Sequence, residues 1–146
     1  MKIAIINGPN LNLLGKREPE IYGNEAIENL LNQLEKQFPR ITFHYFQTNV
    51  EGELVNELQR VGFSFDGIVL NPAAYTHTSI AILDALKAVA LPSVEVHLTD
   101  IGTREAFRRV SYPGMACIAS FAGLGFEGYR SALLLLKQTL ENGQPA

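Results

Sequence analysis

Short apolar runs alternate with longer segments of helical period along the whole chain, and that alternation leaves few folds open. Lys2 to Ile6, Ile41 to Phe46, Gly67 to Leu70, Ser93 to His97 and Met115 to Phe121 are rich in Ile, Val or Phe and bounded by turn residues, so each predicts a strand. After the first of them, Ile27, Leu30, Leu31, Leu34 and Phe38 recur at the spacing of one helical face, with Asn24 as the expected N-cap and Pro39 as the stop. A second helix is predicted from Glu51 to Val61, burying Leu54, Val55, Leu58 and Val61 and stopping at Gly62. A third covers Ser79 to Val89, and a short one lies near Arg104 to Arg108. The last runs from Glu127 to Glu141 with Leu on nearly every side, which predicts cover by other protein. This strand-then-helix order over 146 residues predicts one α/β domain: a five-stranded parallel sheet with helices on both faces, in the flavodoxin-like topology.

Composition narrows the function classes. A hydrophobic fraction of 47% with 18% charged residues supplies a core and argues against disorder. A formal net charge of -3 gives nucleic acid or an anionic membrane nothing to bind. The longest apolar stretch, near Leu133 to Leu136, is too short to span a bilayer, and the chain opens directly on a strand. A soluble, cytoplasmic protein is expected. Cys117, the single cysteine, lies in the apolar run Met115 to Ala119 and predicts a buried, inert thiol in a reducing compartment. His44, His77 and His97 lack metal-ligand spacing and there is no CxxC, so no metal is expected.

In open parallel sheets ligands bind beyond the carboxyl ends of the strands, which directs attention to three strand-to-helix loops. The first, Gly8 to Gly23, lacks the Walker and GxGxxG patterns but is long enough to be a lid, with Gly15 and Gly23 as hinges. Arg17 and Tyr22 are its chemical candidates, since a guanidinium beside a phenol favours the phenolate, a competent general base. Their alternative is a solvated charge and a packing ring. The second loop, Asn71 to Ser79, groups Asn, His, Thr and Ser at a strand end and suits a polyhydroxylated ligand. Its alternative is that Thr76 or Thr78 caps a helix and His77 is a surface residue. On the strand Val94-Glu95-Val96-His97, residues two apart share a face, so Glu95 and His97 form a pair suited to general-acid work, or else a buried structural pair. Arg104, Arg108 and Arg109 follow, either to bind a carboxylate or as a solvated basic face.

A series of motifs gives these candidates a common meaning: Gly8-Pro9-Asn10-Leu11-Asn12-Leu13-Leu14-Gly15, Arg17-Glu18-Pro19 with Tyr22-Gly23, Gln47-Thr48-Asn49-Val50-Glu51-Gly52, Asn71-Pro72 with Tyr75-Thr76-His77-Thr78-Ser79, Asp84-Ala85, Glu95-Val96-His97, and Arg104-Glu105 with Phe107-Arg108. Together they resemble type II 3-dehydroquinate dehydratase, a lyase of the shikimate pathway, from Ile3 to about Leu136. The resemblance implies cofactor-free anti elimination of water from 3-dehydroquinate through an enolate. It implies Tyr22 as the base, Arg17 lowering its pKa, and His97 as the acid with Glu95 behind it. Asn10 would stabilise the enolate, Asn71 and the main-chain N–H groups of Leu98 and Thr99 would hold the substrate carboxylate, and His77 and Arg108 would take ring hydroxyls. Asp84 would reach in from a neighbouring subunit of a trimer, with trimers assembled into a dodecamer.

Four positions depart from the usual pattern: Ala73 for Gly, Thr99 for Ser, Asp100 for Asn and Gly102 for His. Asp100 is expected to place an unfavourable charge beside the substrate carboxylate. The rival class is a non-catalytic flavodoxin-like module. A receiver needs an acidic pair and a phosphoacceptor Asp where this chain has Asn7-Gly8-Pro9 and Asn71-Pro72, so a small-anion binding subunit is the rival that remains.

Overall fold

The computed structural model describes residues 1–16 and 26–143. Five strands, β1 (Lys2–Asn7), β2 (Thr42–Gln47), β3 (Gly67–Asn71), β4 (Ser93–His97) and β5 (Ala119–Ala122), form one sheet. Every neighbouring pair is parallel, in the order β2-β1-β3-β4-β5. The expected flavodoxin-like topology is the observed one. The described α-helices are α1 (Ile27–Gln37), α2 (Glu51–Gly62) and α3 (Ile80–Val89), which link successive strands from β1 to β4, and α4 (Glu127–Asn142), which follows β5.

Alternation along the strands sorts the core into two layers. Ile3, Ile5, Val69, Val94 and Val96 face α1 and α4, which contribute Leu30, Leu34, Leu133 and Leu136. Ala4, Ile6, Ile68 and Leu70 face α2 and α3, which contribute Leu54, Leu58, Ile82 and Leu86. Glu95 and His97, which alternate with Val94 and Val96 along β4, are therefore carried on the α2 and α3 side of the sheet.

Local chemistry explains where element ends differ from expectation. Ser79 caps α3, accepting from the Ile82 N–H at 2.9 Å, while Thr76, one of the expected caps, is wholly buried with its hydroxyl unpaired among the described residues. Asn24 lies outside the described residues, and α1 starts after Ala26 with no side-chain cap. Gly62 is the last residue of α2 rather than a left-handed stop: a Cβ there would lie 2.4 Å from the Val89 side chain, so glycine serves the close approach of α3. The predicted fifth strand begins late. Pro113–Ala116 form a 3-10 turn, so Cys117 follows a turn instead of lying within a strand, and sheet pairing resumes at Ile118, whose N–H donates to Ser93 at 2.8 Å.

The short helix near Arg104 resolves into two 3-10 turns, Ile101–Thr103 and Ala106–Arg108. Of the α4 leucines, Leu133 and Leu136 are fully buried and Leu134 is exposed, so this chain itself covers one face only. No described helix is long and apolar enough to cross a membrane.

Candidate active site

Gly8 brings the first and third strands together at their carboxyl ends. Its N–H donates to Asn71 O at 2.8 Å, and any Cβ would meet Pro72 O at 2.5 Å. The chain then turns through Asn10, which takes the left-handed conformation at φ 69° and is anchored by its N–H on Asn49 Oδ1 at 3.0 Å. Gln47 ties down the same turn by donating to Gly8 O at 3.1 Å.

Beyond these strand ends opens a cavity of about 440 Å³, ample for a small polar metabolite. It gathers seven of the expected site residues: Asn10, Asn71, His77, His97, Leu98, Thr99 and Arg108. Arg104 and Ala73 also line it. Ala73 has φ 54°, a left-handed backbone that costs a side-chain-bearing residue about 1 kcal/mol, which gives physical sense to glycine as its usual counterpart.

Asn71 is held by a buried network that assigns its amide. The Ala73 N–H donates to Oδ1 at 3.1 Å, so Nδ2 points the other way and donates to the Tyr129 hydroxyl at 3.2 Å. Tyr129, fully buried on α4, in turn donates to Asn7 Oδ1 at 2.7 Å. Burial drives this phenol far above its ordinary range, so it stays protonated and acts only as a bridge. The Asn71 amide is thereby fixed, its oxygen on the Ala73 N–H and its nitrogen toward Tyr129.

Glu95 and His97 meet as their spacing predicts. Both are buried, and Nε2 of His97 lies 2.9 Å from Glu95 Oε1. Nε2 meets no other polar group among the described residues, so this close approach to Glu95 is its polar contact. Burial raises the Glu95 carboxyl, but His97 and the Ser111 and Ser120 hydroxyls outweigh it and hold the group below the usual carboxylate range. Next in the chain, the N–H groups of Leu98 and Thr99 donate to no described acceptor, leaving two donors at the cavity wall. Such a pair suits a carboxylate.

The remaining wall carries polar groups with assigned roles. His77 Nδ1 lies 2.8 Å from Val110 O, and a carbonyl only accepts, so Nδ1 carries the hydrogen and Nε2 is the group left for a ligand. Arg108 donates through Nε to Glu105 and lies 5.2 Å from the Phe107 ring centroid.

Three expected site residues are not brought together here. Arg17 and Tyr22 lie outside the described residues. Asp84 is exposed on α3 and does not line the cavity. Asp100 corrects an expectation: its carboxylate caps the next turn, accepting from the Gly102 N–H at 2.9 Å, and the residue stands outside the cavity lining. Cys117 is half-buried, and burial together with Glu95 pushes its thiol up to about 12. Among the described residues no group of His, Cys, Asp and Glu could hold a metal ion.

Sequence reasoning missed Tyr129, Ser111 and Ser120. Tyr129 had a signal, since it shares the apolar face of α4 with Ala132, Leu133 and Leu136, and a buried phenol needs a partner. The serines had none, because their roles depend on strand register and a turn.

Residues 1–137 match the family described as Dehydroquinase class II. The 3-dehydroquinate dehydratase of Clostridium acetobutylicum is 48% identical over 142 residues, 96% of this chain and 99% of that protein. The enzyme of the same name from Fusobacterium nucleatum is 49% identical over 142 residues, 93% of this chain and 96% of its own length. The crystal structure of type II dehydroquinase from Butyrivibrio crossotus superimposes with a TM-score of 0.91 at 43% identity, covering 94% of this chain and 97% of that one. With a match over nearly its whole length and the expected sheet order and cavity residues in place, the chain belongs to the class II dehydroquinase family.

Proposed function

We propose that this chain, as a single catalytic domain of residues 1–146, dehydrates 3-dehydroquinate to 3-dehydroshikimate by anti elimination, without a cofactor. One observation carries the reading: His97, set against buried Glu95, lines the cavity beside the N–H groups of Leu98 and Thr99, which donate to no described acceptor. This supports a proton donor next to an anion site, as loss of hydroxyl from a carboxylate-bearing substrate requires.

Tyr22, as phenolate beside Arg17, takes the proton next to the ketone, and the electron pair moves into an enolate stabilised by Asn10. The enolate then expels the β-hydroxyl, which leaves as water with a proton from His97. Asn71, Leu98 and Thr99 hold the carboxylate, while His77 and Arg108 hold ring hydroxyls. Asp84, exposed on its own subunit, completes a neighbour's site in a trimer, and trimers assemble into a dodecamer in the cytoplasm.

Conjugated-enone absorbance should grow when purified protein meets 3-dehydroquinate, at the same rate with EDTA. Tight binding with no enone would instead make this a small-anion binding subunit. For the shared site, Tyr22→Phe and Asp84→Asn proteins, each nearly inactive, should regain activity on joint unfolding and reassembly, with about a quarter of sites fully intact at equal input. Mixed assemblies that stay inactive would place Asp84 outside the neighbour's site.

A further inference from the structure

The Glu95 carboxylate is approached from behind, away from the cavity, by two serines that do not line it. Ser120 pairs with Glu95 in the β4 and β5 register, so the two side chains share a face, and its hydroxyl donates to Oε1 at 2.8 Å. Ser111 donates to Oε2. Its direction is fixed by the Gly114 N–H, which donates to the Ser111 oxygen at 3.0 Å and leaves the hydroxyl hydrogen to the carboxylate. The turn is built for this approach, since a Cβ on Gly114 would lie 2.8 Å from the Ser111 oxygen and 3.0 and 3.1 Å from the two Glu95 oxygens.

No described guanidinium or ammonium forms an ion pair with Glu95, so the His97 imidazole is the basic group set against it. The nearby Cys117 thiol, held up at about 12, adds no charge at neutral pH. One proton shared by this pair has two places to reside: on the imidazole, giving an ion pair, or on the carboxyl, giving two neutral groups. Burial favours the neutral arrangement. Hydroxyl donors aimed at the carboxylate favour the ionic one.

We propose that Ser111 and Ser120 are positioning residues that keep the shared proton on His97, where the departing hydroxyl collects it. The proposal rests on the acid role given to His97 above and adds what sustains it. Only a proton on the imidazole can be delivered to the substrate, because His97 lines the cavity and Glu95 does not.

The test compares wild type with Ser111→Ala, Ser120→Ala and the double variant, using infrared spectra of protein labelled with carbon-13 at glutamate carboxyl groups. At neutral pH the double variant should show a protonated-carboxyl band absent from wild type, and adding Glu95→Gln should remove it. kcat should fall about tenfold or more with KM little changed, as expected for lost charge-assisted hydrogen bonds remote from substrate. Ser120→Thr, which keeps the hydroxyl at an exposed strand position, should restore both readouts. A spectrum like wild type in the double variant overturns the proposal, as does a band without loss of kcat or a loss of kcat without the band. The band reports where the proton lies whatever His97 does, so normal turnover in His97→Gln would sink the acid role separately.

Discussion

Two Glu and His pairs stand on this sheet, and their third partners separate them. At the outer strand, His44 Nε2 lies 3.0 Å from Glu57 Oε1, and at the cavity His97 Nε2 lies 2.9 Å from Glu95 Oε1. Distance does not distinguish them. Glu57 also receives Arg60, whose Nε donates to both oxygens at 3.1 Å, and Arg60 contacts His44 Nε2 at 2.9 Å. The His44 side chain is 38% exposed and that of His97 is 6%. An arginine neutralises a carboxylate permanently, so the outer imidazole has no charge to balance. Serine hydroxyls stabilise the inner carboxylate without cancelling its charge, which leaves that charge for the imidazole to meet. On the proposed reading, the same two residue types make a structural clasp in one place and an acid in the other.

The largest expected effect breaks the symmetry outright. His97→Gln should lower kcat about a hundredfold or more with little change in KM, since an amide can hold a hydrogen bond but not deliver a proton. Substrate labelled at the carbon that loses its proton should still exchange with solvent. His44→Gln should leave turnover unchanged. Equal loss of exchange and dehydration in His97→Gln would contradict the acid role, and a turnover defect in His44→Gln would erase the distinction between the pairs.

A smaller effect separates the carboxylates by pH. The Arg60 hydrogen bonds lead in holding Glu57 below its ordinary pKa, against burial, with His44 assisting. A depressed carboxylate contributes stability that is complete above its unfolded pKa of 4.5 and is lost as pH falls through the lower folded value. Urea midpoints should therefore show Glu57→Gln less stable than wild type near neutrality, by about 1 kcal/mol given the exposed Arg60, and no less stable in strong acid. Its kcat profile with pH should follow wild type. A stability gap that persists unchanged in acid would assign the effect to packing instead of charge.

The pairs also mark the limits of the sequence. Glu95 and His97 were legible because period-two alternation puts them on one face of a single strand. The His44, Glu57 and Arg60 cluster was not, since it joins β2 to α2 and depends on how they dock. The parallel sheet with helices on both faces followed from the alternation of strand and helix patterns, each of which is local. The late start of the fifth strand did not, because Gly114 turns the chain close against the Glu95 carboxylate, an approach between residues 19 apart. Much of the substrate wall was read from motif resemblance, and the cavity then collected it. What the motifs could not supply was direction: the orientation of the Asn71 amide is fixed by Tyr129 and the tautomer of His77 by the Val110 carbonyl.

The smallest expected effect concerns Asp100, a third carboxylate near the site and the control for the other two. As the third residue after β4, it is close in sequence to the Leu98 and Thr99 N–H groups proposed to hold a substrate carboxylate, and repulsion there would make Asp100→Asn tighten binding. The geometry argues otherwise. Its Oδ1 accepts from the Gly102 N–H at 2.9 Å and its main-chain oxygen accepts the Thr103 hydroxyl at 2.9 Å, so the residue serves the turn it begins. Gly102 and Gly123 fit around it: a Cβ on Gly102 would lie 3.2 Å from Oδ1, and one on Gly123 would lie 3.2 Å from the Asp100 Cβ. Asparagine caps a turn about as well as aspartate through the same oxygen, and an exposed charge is screened by salt. Asp100→Asn should therefore change KM less than about twofold, with the same dependence on added salt as wild type. A KM several-fold lower, and only at low salt, would show that the carboxylate reaches the anion site after all and that its cap is made at the expense of binding.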